Sequence, residues 1–207
     1  MSHSNLIHPT VIMIGDVEVG AGTSIGPYSV IQGPVKIGAG NEIGAHVVIG
    51  GAPEHRSKGP AGMIVIGDHN RIRDHVVIHH GCEDTGTVIG SGCYIMGHVH
   101  IAHDGLIQDE VTISLCAAIC GHVKILRGAN IGANAVIHQR SVIGHYAMVG
   151  MGSVVAKDVP PLALVKGNPA RYSRQNTHVL KSVQVDLNVA QQEFEMLSKR
   201  PRINLHQ

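Results

Sequence analysis

Five histidines and one aspartate lie close together in the middle of the chain and have the composition of a proton-transfer site. The histidines are His98, His100, His103, His122 and His138, and Asp104 directly follows His103. An imidazole can take up a proton near neutral pH, and a carboxylate that holds it can fix its tautomer and stabilise the imidazolium. Adjacent residues on a strand point to opposite faces. Asp104 is therefore expected to act on His103 from a corner or from a neighbouring strand.

The elements that must position these residues follow a period of six. From Ile89 an aliphatic residue returns at every sixth position through Ile95, Ile101, Ile107, Ile113, Ile119, Ile125, Ile131, Ile137, Ile143, Val149 and Val155. This period fits neither a helix nor simple strand alternation, and it is typical of a parallel β-helix whose hexads each form a short strand and a turn. Hexads do not require histidine, which is why the histidines are candidates for chemistry.

Three hexads would make one coil of 18 residues, and this places several histidines on one edge of the prism. His103 and His122 are 19 positions apart, and His138 is one residue short of two coils beyond His103. We therefore predict that these three histidines stack along a single edge. The alternative is an external ladder of imidazoles that only lines a subunit interface.

The hexads divide the chain into a main domain and a C-terminal segment. A first run of hexads begins at Ile7, and the lattice is interrupted twice. We predict an all-β parallel β-helix over residues 1–160 with excursion loops near 51–64 and 80–88, a connector over 161–175 and a helix over 176–200. Asn176 or Thr177 would cap this helix, and its apolar stripe would pack on the last coil or on a partner subunit.

Composition excludes several classes of partner. The 207 residues are 43% apolar and 15% charged, with 26 glycines, one phenylalanine and a net charge of +1. Without a basic run, nucleic acid and anionic membranes are not predicted as partners. The chain has no basic leader segment and no apolar run of about 20 residues, so we expect a cytoplasmic protein without a membrane span. The four cysteines form no CxxC pair and are expected to be reduced thiols.

Five stretches carry a resemblance to a known family. They are residues 66–81, 100–104, 121–123, 136–139 and 158–161, which read IGDHNRIRDHVVIHHG, HIAHD, GHV, VIHQ and DVPP. Together they resemble the acyl-carrier-protein-dependent UDP-N-acetylglucosamine O-acyltransferases that begin lipid A synthesis, over about residues 5–181. The resemblance implies a left-handed coil and a homotrimer with active sites between neighbouring subunits. Periodicity alone leaves the hand open, since the general rule for parallel crossovers favours a right-handed one.

The resemblance also implies roles for individual residues. His103 matches the general base that deprotonates the sugar 3-hydroxyl, Asp104 its supporting carboxylate, and the Gly121 amide the donor to the thioester oxyanion. Met151 falls where the family limits acyl length and would favour a medium chain. Further positions match or could replace substrate contacts: Lys58, His100, His122, His138, Gln139, Asn168 and Asn176.

Four positions depart from the family pattern and leave the nucleotide acceptor open. Pro169 stands where the family has His, His178 where it has Glu, and Ser182 and Val183 where it has paired arginines. Two missing guanidinium groups remove natural partners of a diphosphate. The implied reaction moves a medium-chain, 3-hydroxylated acyl group from acyl carrier protein to a nucleotide sugar without a metal or organic cofactor. Candidate contacts for the acidic carrier protein are Arg127, Arg140, Lys166, Arg171 and Arg174.

Two alternatives use the same residues differently. His79, His98 and His103 lie in contexts that resemble the three zinc ligands of γ-class carbonic anhydrases, where zinc generates hydroxide near neutral pH. Against this alternative, the supporting glutamine of that family is Arg73 here. The other alternative is a non-catalytic trimeric scaffold with interface histidines, for which changing His103 would have no effect on function.

Overall fold

The computed structural model describes residues 6–180 and 186–198. In that part of the chain, short strands follow one another at nearly constant spacing. In chain order they are β1 Leu6–Ile7, β2 Ile12–Ile14, β3 Val17–Val19, β4 Ser24–Ile25, β5 Val30–Gln32, β6 Val35–Ile37, β7 Glu42–Ile43, β8 Val48–Gly51, β9 Ile64–Ile66, β10 Arg71–Ile72, β11 Val77–His79, β12 Thr87–Ile89, β13 Tyr94–Ile95, β14 His100–Ile101, β15 Leu106–Ile107, β16 Thr112–Ile113, β17 Ala118–Ile119, β18 Lys124–Ile125, β19 Asn130–Ile131, β20 Val136–Ile137, β21 Val142–Ile143, β22 Met148–Val149, β23 Val154–Val155, β24 Ala163–Lys166 and β25 Arg171–Gln175. The helices are α1 Thr177–Leu180 and α2 Leu187–Ser198.

Successive strands belong to three different parallel sheets, so the chain forms a three-sided coil. The first sheet contains β1, β4, β7 and every third strand up to β22, the second runs from β2 to β23, and the third from β3 to β21. Ile101 pairs with Ile119 and Ile119 with Ile137, which is a repeat of 18 residues. The predicted parallel β-helix with 18-residue coils is therefore confirmed.

The coil is left-handed, as the family resemblance implied. Every sixth residue from Gly86 to Gly152 has a positive φ, so each corner in this range carries one residue in the left-handed region. Histidine, asparagine and aspartate tolerate that region better than most residues. Histidines hold five such corners at positions 46, 69, 75, 98 and 122. The hexads therefore have a structural use for histidine, which corrects the expectation that they do not.

Two aliphatic ladders fill the interior. The predicted ladder contains Ile95, Ile101 and Ile107, which are all 0% exposed. A second set of smaller buried side chains, which the sequence analysis missed, lies four positions after most members of the first and includes Val99, Val111, Ala117, Val123, Ala129, Ala135 and Ala147. Burying one isoleucine side chain contributes about 1.5–3 kcal/mol. The repetition of these contacts, coil after coil, stabilises a narrow prism that has almost no aromatic residues.

Both excursions leave the prism at the same edge. Ile37 pairs with Ile66, 29 positions on, and Ile66 pairs with Ile89, 23 positions on, so two coils carry extra residues. The first loop, residues 52–63, and the second loop, residues 80–86, both connect the second sheet to the third. We call this corner the His103 edge, because His103 and Asp104 lie at the same turn one coil later. The corner between the first and second sheets is called the His98 edge.

The segment predicted as a connector continues the sheet structure. Within residues 161–175, β24 adds in parallel to β22 of the first sheet, and β25 returns antiparallel to β24. The sequence analysis did not predict these two strands, because they lie outside the hexad spacing.

The predicted helix 176–200 is represented by α1 and α2, while residues 181–185, 199 and 200 lie outside the described ranges. Asp186 accepts hydrogen bonds from the amides of Asn188 and Val189, at 3.0 and 3.2 Å, and so caps the start of α2. Phe194 of α2 packs on Leu126 and Val142, on the third side of the same chain. Neither described helix is long and apolar enough to cross a membrane.

Candidate active site

The His103 edge holds an imidazole and a carboxylate in direct contact. His103 Nδ1 lies 2.8 Å from Asp104 Oδ2. Asp104 has a φ of 57°, and this left-handed corner lets its side chain reach back to the residue before it. Because a carboxylate only accepts hydrogen bonds, Nδ1 is the donor, and the lone pair of the neutral ring is on Nε2. The pair therefore has the geometry of a base with an orienting partner.

Asp104 is also the anchor of the second loop. Its carboxylate accepts hydrogen bonds from the backbone amides of Cys82, at 3.0 and 3.1 Å, and of Glu83, at 3.0 Å. Burial raises the pKa of Asp104, but the hydrogen bonds from His103, Cys82 and Glu83 outweigh it, and the net pKa is lowered. The Thr87 hydroxyl accepts from the Asp104 amide at 3.1 Å. Asp104 therefore stays ionised and fixed while it holds His103.

Gly121 lies against the face of the His103 ring. A β-carbon on Gly121 would be 2.5 Å from Cε1 and 2.6 Å from Nε2 of His103, so a side chain there would displace the imidazole. At the same position of other hexads a side-chain oxygen accepts the hydrogen bond of the corresponding amide. The amides of Ala39, Ala45, Ser91 and Arg127 donate to Asp68, Asp74, Asp109 and Gln108 at 2.7, 2.8, 2.8 and 2.9 Å. Within the described residues, the Gly121 amide has no such acceptor.

Two more imidazoles contact the His103 ring. His122 meets it edge to face with centroids 5.1 Å apart, and His122 Nε2 lies 3.7 Å from Asp104 Oδ2. Burial and then the positive charge of Arg140 lower the pKa of His122, against the attraction of Asp104. His55, from the first loop, meets His103 edge to face at 5.8 Å. The sequence analysis missed His55, although it predicted an excursion loop near residues 51–64.

A second group of donor side chains lies beside this pair. The rings of His79 and His100 meet edge to face at 4.7 Å, and His100 Nε2 is 4.0 Å from Glu54 Oε2. Burial, followed by the charge of His100, lowers the pKa of His79. His79 Nδ1 is buried without a hydrogen-bond partner in the described part of the chain. Sequence reasoning named His79 and His100 separately and missed Glu54, whose loop has no register with the hexads.

The predicted stack of three histidines on one edge is only partly present. His103 and His122 are in ring contact. His138 follows the second-sheet strand β20, is exposed and lies 3.2 Å from the Gln139 carbonyl oxygen through Nδ1. No ring contact joins it to the other two among the described residues. His138 precedes the corner residue Arg140 by two positions, whereas His122 is itself a corner residue.

His98 lies on a different edge from His103. Its ring stacks on His75 at 4.7 Å, His75 stacks on His46 at 5.1 Å, and His46 on Tyr28 at 5.3 Å. Within one chain, therefore, His98 does not join His79 and His103, and the zinc site with these three ligands stays a prediction. The stack consists of corner residues one coil apart, all exposed.

The other predicted substrate contacts are dispersed. Lys58 pairs with Glu83 across the two loops at 3.6 Å. Gln139 is exposed beside the His103 edge, while Met151 is 80% exposed on the His98 edge. Asn168 is exposed in the turn between β24 and β25.

Two predicted contacts are already engaged within the chain. Asn176 is buried, and its side-chain amide donates to the Tyr146 carbonyl at 2.9 Å. Arg127, a candidate carrier-protein contact, donates to Glu110 through Nε at 3.3 Å. Ser182 and Val183 lie outside the described residues. The four cysteines, Cys82, Cys93, Cys116 and Cys120, are free thiols, as expected.

Comparisons with known proteins agree on one family. The sequence model of the bacterial transferase hexapeptide family (six repeats) matches residues 16–51. The acyl-(acyl-carrier-protein)–UDP-N-acetylglucosamine O-acyltransferase of Stutzerimonas stutzeri is 38% identical over 186 residues, which cover 83% of this chain and 72% of that protein. The enzyme of the same name from Gloeothece citriformis is 41% identical over 130 residues, 62% of this chain. That match spans 47% of the relative, and several others likewise span about half.

Solved structures agree with the sequence relatives. The crystal structure of UDP-N-acetylglucosamine O-acyltransferase from Moraxella catarrhalis has a TM-score of 0.74 and 32% identity, covering 88% of this chain and 80% of that one. The UDP-N-acetylglucosamine acyltransferase from Campylobacter jejuni gives a TM-score of 0.79 at 24% identity, covering 93% and 81% of the two chains. The second likeness bears on the fold alone.

Proposed function

We propose that this chain, which belongs to the family of acyl-carrier-protein-dependent UDP-N-acetylglucosamine O-acyltransferases, transfers an acyl group from acyl carrier protein to a nucleotide sugar. The observation that carries the proposal is the His103–Asp104 pair with Gly121 against its ring. An oriented base and a free backbone donor at one point are what acyl transfer requires.

The reaction follows from the positions of these three residues. His103 Nε2 takes the proton of the acceptor hydroxyl while the oxygen attacks the thioester carbonyl carbon. Asp104, kept ionised by its hydrogen bonds, stabilises the imidazolium that forms. The Gly121 amide donates to the oxygen on which negative charge develops. As the carbon–sulfur bond breaks, the imidazolium returns the proton to the departing thiolate, and His103 is neutral again. No metal or organic cofactor takes part in this sequence.

The donor is proposed to be a medium-chain, 3-hydroxylated acyl group. Met151 falls where the family limits acyl length, and its side chain is largely exposed, so it is free to line a channel shared with another subunit. The proposal includes a homotrimer with active sites between neighbours and a cytoplasmic location. Acyl-carrier-protein thioesters of graded chain length test Met151. Met151→Gly should shift the preference to longer chains, and an unchanged preference would remove Met151 from the acyl site.

The acceptor is proposed to be a UDP-N-acetylglucosamine-like sugar with a hydroxyl or amine at the attacked position. The nucleotide must be bound differently from the family pattern, because Ser182 and Val183 replace the paired arginines. Lys58, His100, His122, His138, Gln139, Asn168 and Asn176 are the proposed contacts.

The proposal is tested by acyl transfer to UDP-N-acetylglucosamine and its 3-amino analogue, with wild type and His103→Ala, after metal analysis of both proteins. Transfer by metal-free wild type that falls by about 100-fold or more in the variant supports it, since a general base contributes about that much. Transfer that survives in His103→Ala contradicts it. Stoichiometric zinc without transfer would favour the hydratase alternative, and no activity of either kind would favour the scaffold.

A further inference from the structure

Glu54, His79 and His100 converge on one point beside the proposed base. One donor atom from each lies within 4.8 Å of the other two. His79 and His100 belong to the hydrogen-bonded neighbours β11 and β14, so the sheet fixes their spacing. Glu54 comes from the first loop, and its side chain is 75% exposed. Two donors are therefore held rigidly and the third can adjust.

We propose that Glu54, His79 and His100 bind a divalent transition-metal ion of the Zn²⁺ type, and that this ion competes with the acceptor for His100. The competition rests on the proposed function, because in that function His100 contacts the sugar that accepts the acyl group. The binding of the ion does not depend on that function. This site differs from the three-histidine set considered above, since it uses neither His98 nor the base His103.

The donor set selects the class of ion. Two imidazoles and one carboxylate, with a fourth position open, are a zinc ligand set, whereas Ca²⁺ and Mg²⁺ prefer oxygen ligands. Zinc bonds of about 2.0–2.2 Å in a tetrahedral arrangement place ligand atoms about 3.3 Å apart. The separation of 4.0 Å between His100 Nε2 and Glu54 Oε2 would have to shorten by less than 1 Å. Rotation of the exposed Glu54 side chain can supply that movement.

The state of His79 also favours a metal. The ring of His79 has a nitrogen that no group in the described residues occupies. Its Nδ1 is buried and has no hydrogen-bond partner in residues 6–180 and 186–198. A buried polar atom without a partner is destabilising, and a bound ion is one of the groups that can satisfy it.

The position of the ion would link metal binding to the binding of the acceptor sugar. The first loop carries both Glu54 and His55, and His55 contacts the His103 ring. An ion on Glu54 and His100 would therefore lie in the same cleft as the base. It would withdraw His100 from the sugar and hold the first loop in place. The base His103 would keep its partner Asp104.

Binding is tested on full-length protein stripped with a chelator, by calorimetric titration with ZnCl₂ and by the visible absorption of added Co²⁺. Wild type should bind one ion per chain. His79→Gln, His100→Gln and Glu54→Gln should each weaken binding by at least tenfold. His75→Asn is the control, since His75 is exposed in the stack on the His98 edge, and asparagine tolerates its left-handed corner. Glu54→Gln alters an exposed loop residue and should fold even if the histidine variants do not.

Two results would overturn the site. One is stoichiometric zinc that persists in Glu54→Gln and in the folded histidine variants, which would place the ion elsewhere among the 16 histidines. The other is binding too weak to saturate at millimolar Zn²⁺.

A kinetic measurement separates this proposal from the proposed function. Zn²⁺ should raise the KM for UDP-N-acetylglucosamine several-fold with kcat unchanged, and Glu54→Gln should abolish the effect. If no protein transfers acyl groups while the titrations succeed, the acyltransferase assignment fails and the metal site stands. If transfer proceeds and the titrations fail, the metal site alone is wrong.

Discussion

Gly121 supplies the surface against which the His103 ring rests. The Cα of Gly121 is so near that an added β-carbon would lie 2.6 Å from Nε2, the nitrogen that is free to accept a proton. The same residue carries a backbone amide without an acceptor in the described part of the chain. One glycine thus both leaves room for the base and presents a donor beside it.

Gly121→Ala should abolish most acyl transfer while the coil stays folded. The added methyl group must push the imidazole away from its present position, and a displacement of about 1 Å at a catalytic group costs about 100-fold in rate. We expect a fall of that size in kcat, with a melting temperature close to that of wild type, measured by steady-state kinetics and circular dichroism.

Gly97→Ala is the matched control for this substitution. Gly97 holds the same hexad position on the His98 edge, where an added β-carbon would be 3.2 Å from the nearest atom, the Asp74 carbonyl oxygen. It should affect kcat by less than tenfold. Equal losses in the two variants would show that the loss at Gly121 does not depend on its contact with His103, and would remove the special role of Gly121.

Asp104→Asn should inactivate the enzyme by reversing the tautomer of His103. Asparagine can keep its oxygen on the Cys82 and Glu83 amides, which places its NH₂ group opposite His103 Nδ1. Nδ1 must then accept a hydrogen bond, the proton moves to Nε2, and the base loses its lone pair. We expect kcat to fall about 100-fold or more with KM nearly constant. An unchanged kcat would mean that Asp104 only anchors the second loop and does not set the tautomer of His103.

The Asp104→Asn variant also tests how the free energy of unfolding depends on pH. Because the folded-state pKa of Asp104 is lowered, the carboxylate contributes stability that is fully present above its unfolded value of about 3.9. That contribution is lost as the pH falls through the folded-state pKa. The gap in unfolding free energy between wild type and Asp104→Asn should shrink as the pH falls below about 4. Urea titrations below pH 5 measure it, and a gap that stays unchanged below pH 4 would contradict the lowered pKa.

The six-residue lattice was predictable from the sequence. The prediction of which edge carries each histidine needed the exact position of that histidine within the 18-residue coil. Edges recur every 18 residues and corners every six, so His98, five positions before His103, belongs to another edge. His122 is 18 positions beyond Asp104, and both are left-handed corners. His138 is 36 positions beyond Ala102, which precedes the corner residue Asp104 by two positions. A strict count modulo 18 would have separated these histidines before the structure was known.

The contacts made by the two loops could not be predicted by counting residues along the hexads. Their residues have no period, so nothing in the sequence fixes Glu54 beside His100 or His55 beside His103. The acceptor role of Asp104 toward Cys82 and Glu83 arises only when the second loop folds back on the edge. The hand of the coil also required more than the period, because only the family resemblance implied it.

Ile119→Ala should lower stability without altering the proposed base. Ile119 is 0% exposed and lies between Ile101 and Ile137 in the ladder of the second sheet. Removing buried methyl and methylene groups leaves a cavity and costs about 2–5 kcal/mol. Val136→Ala on the outer face, where Val136 is 38% exposed, is the control and should cost less than about 1 kcal/mol. Chemical denaturation at one fixed protein concentration compares them, and similar losses would mean that the interior ladder does not dominate stability.

His122 should make the folded state less stable in mild acid. Its pKa is lowered in the folded state by burial and by Arg140, so below the unfolded value of about 6.5 the unfolded chain binds a proton that the folded chain resists. Stability from this residue is therefore unchanged above about pH 7 and declines as the pH falls through 6.5 toward the folded-state pKa. The unfolding free energy of His122→Gln relative to wild type should rise steadily from pH 7 to pH 5. Arg140→Gln removes one cause of the shift, so NMR titration of His122 in that variant should give a higher pKa and the pH dependence should weaken. A lower or unchanged pKa for His122 in Arg140→Gln would show that the charge of Arg140 does not act on this ring.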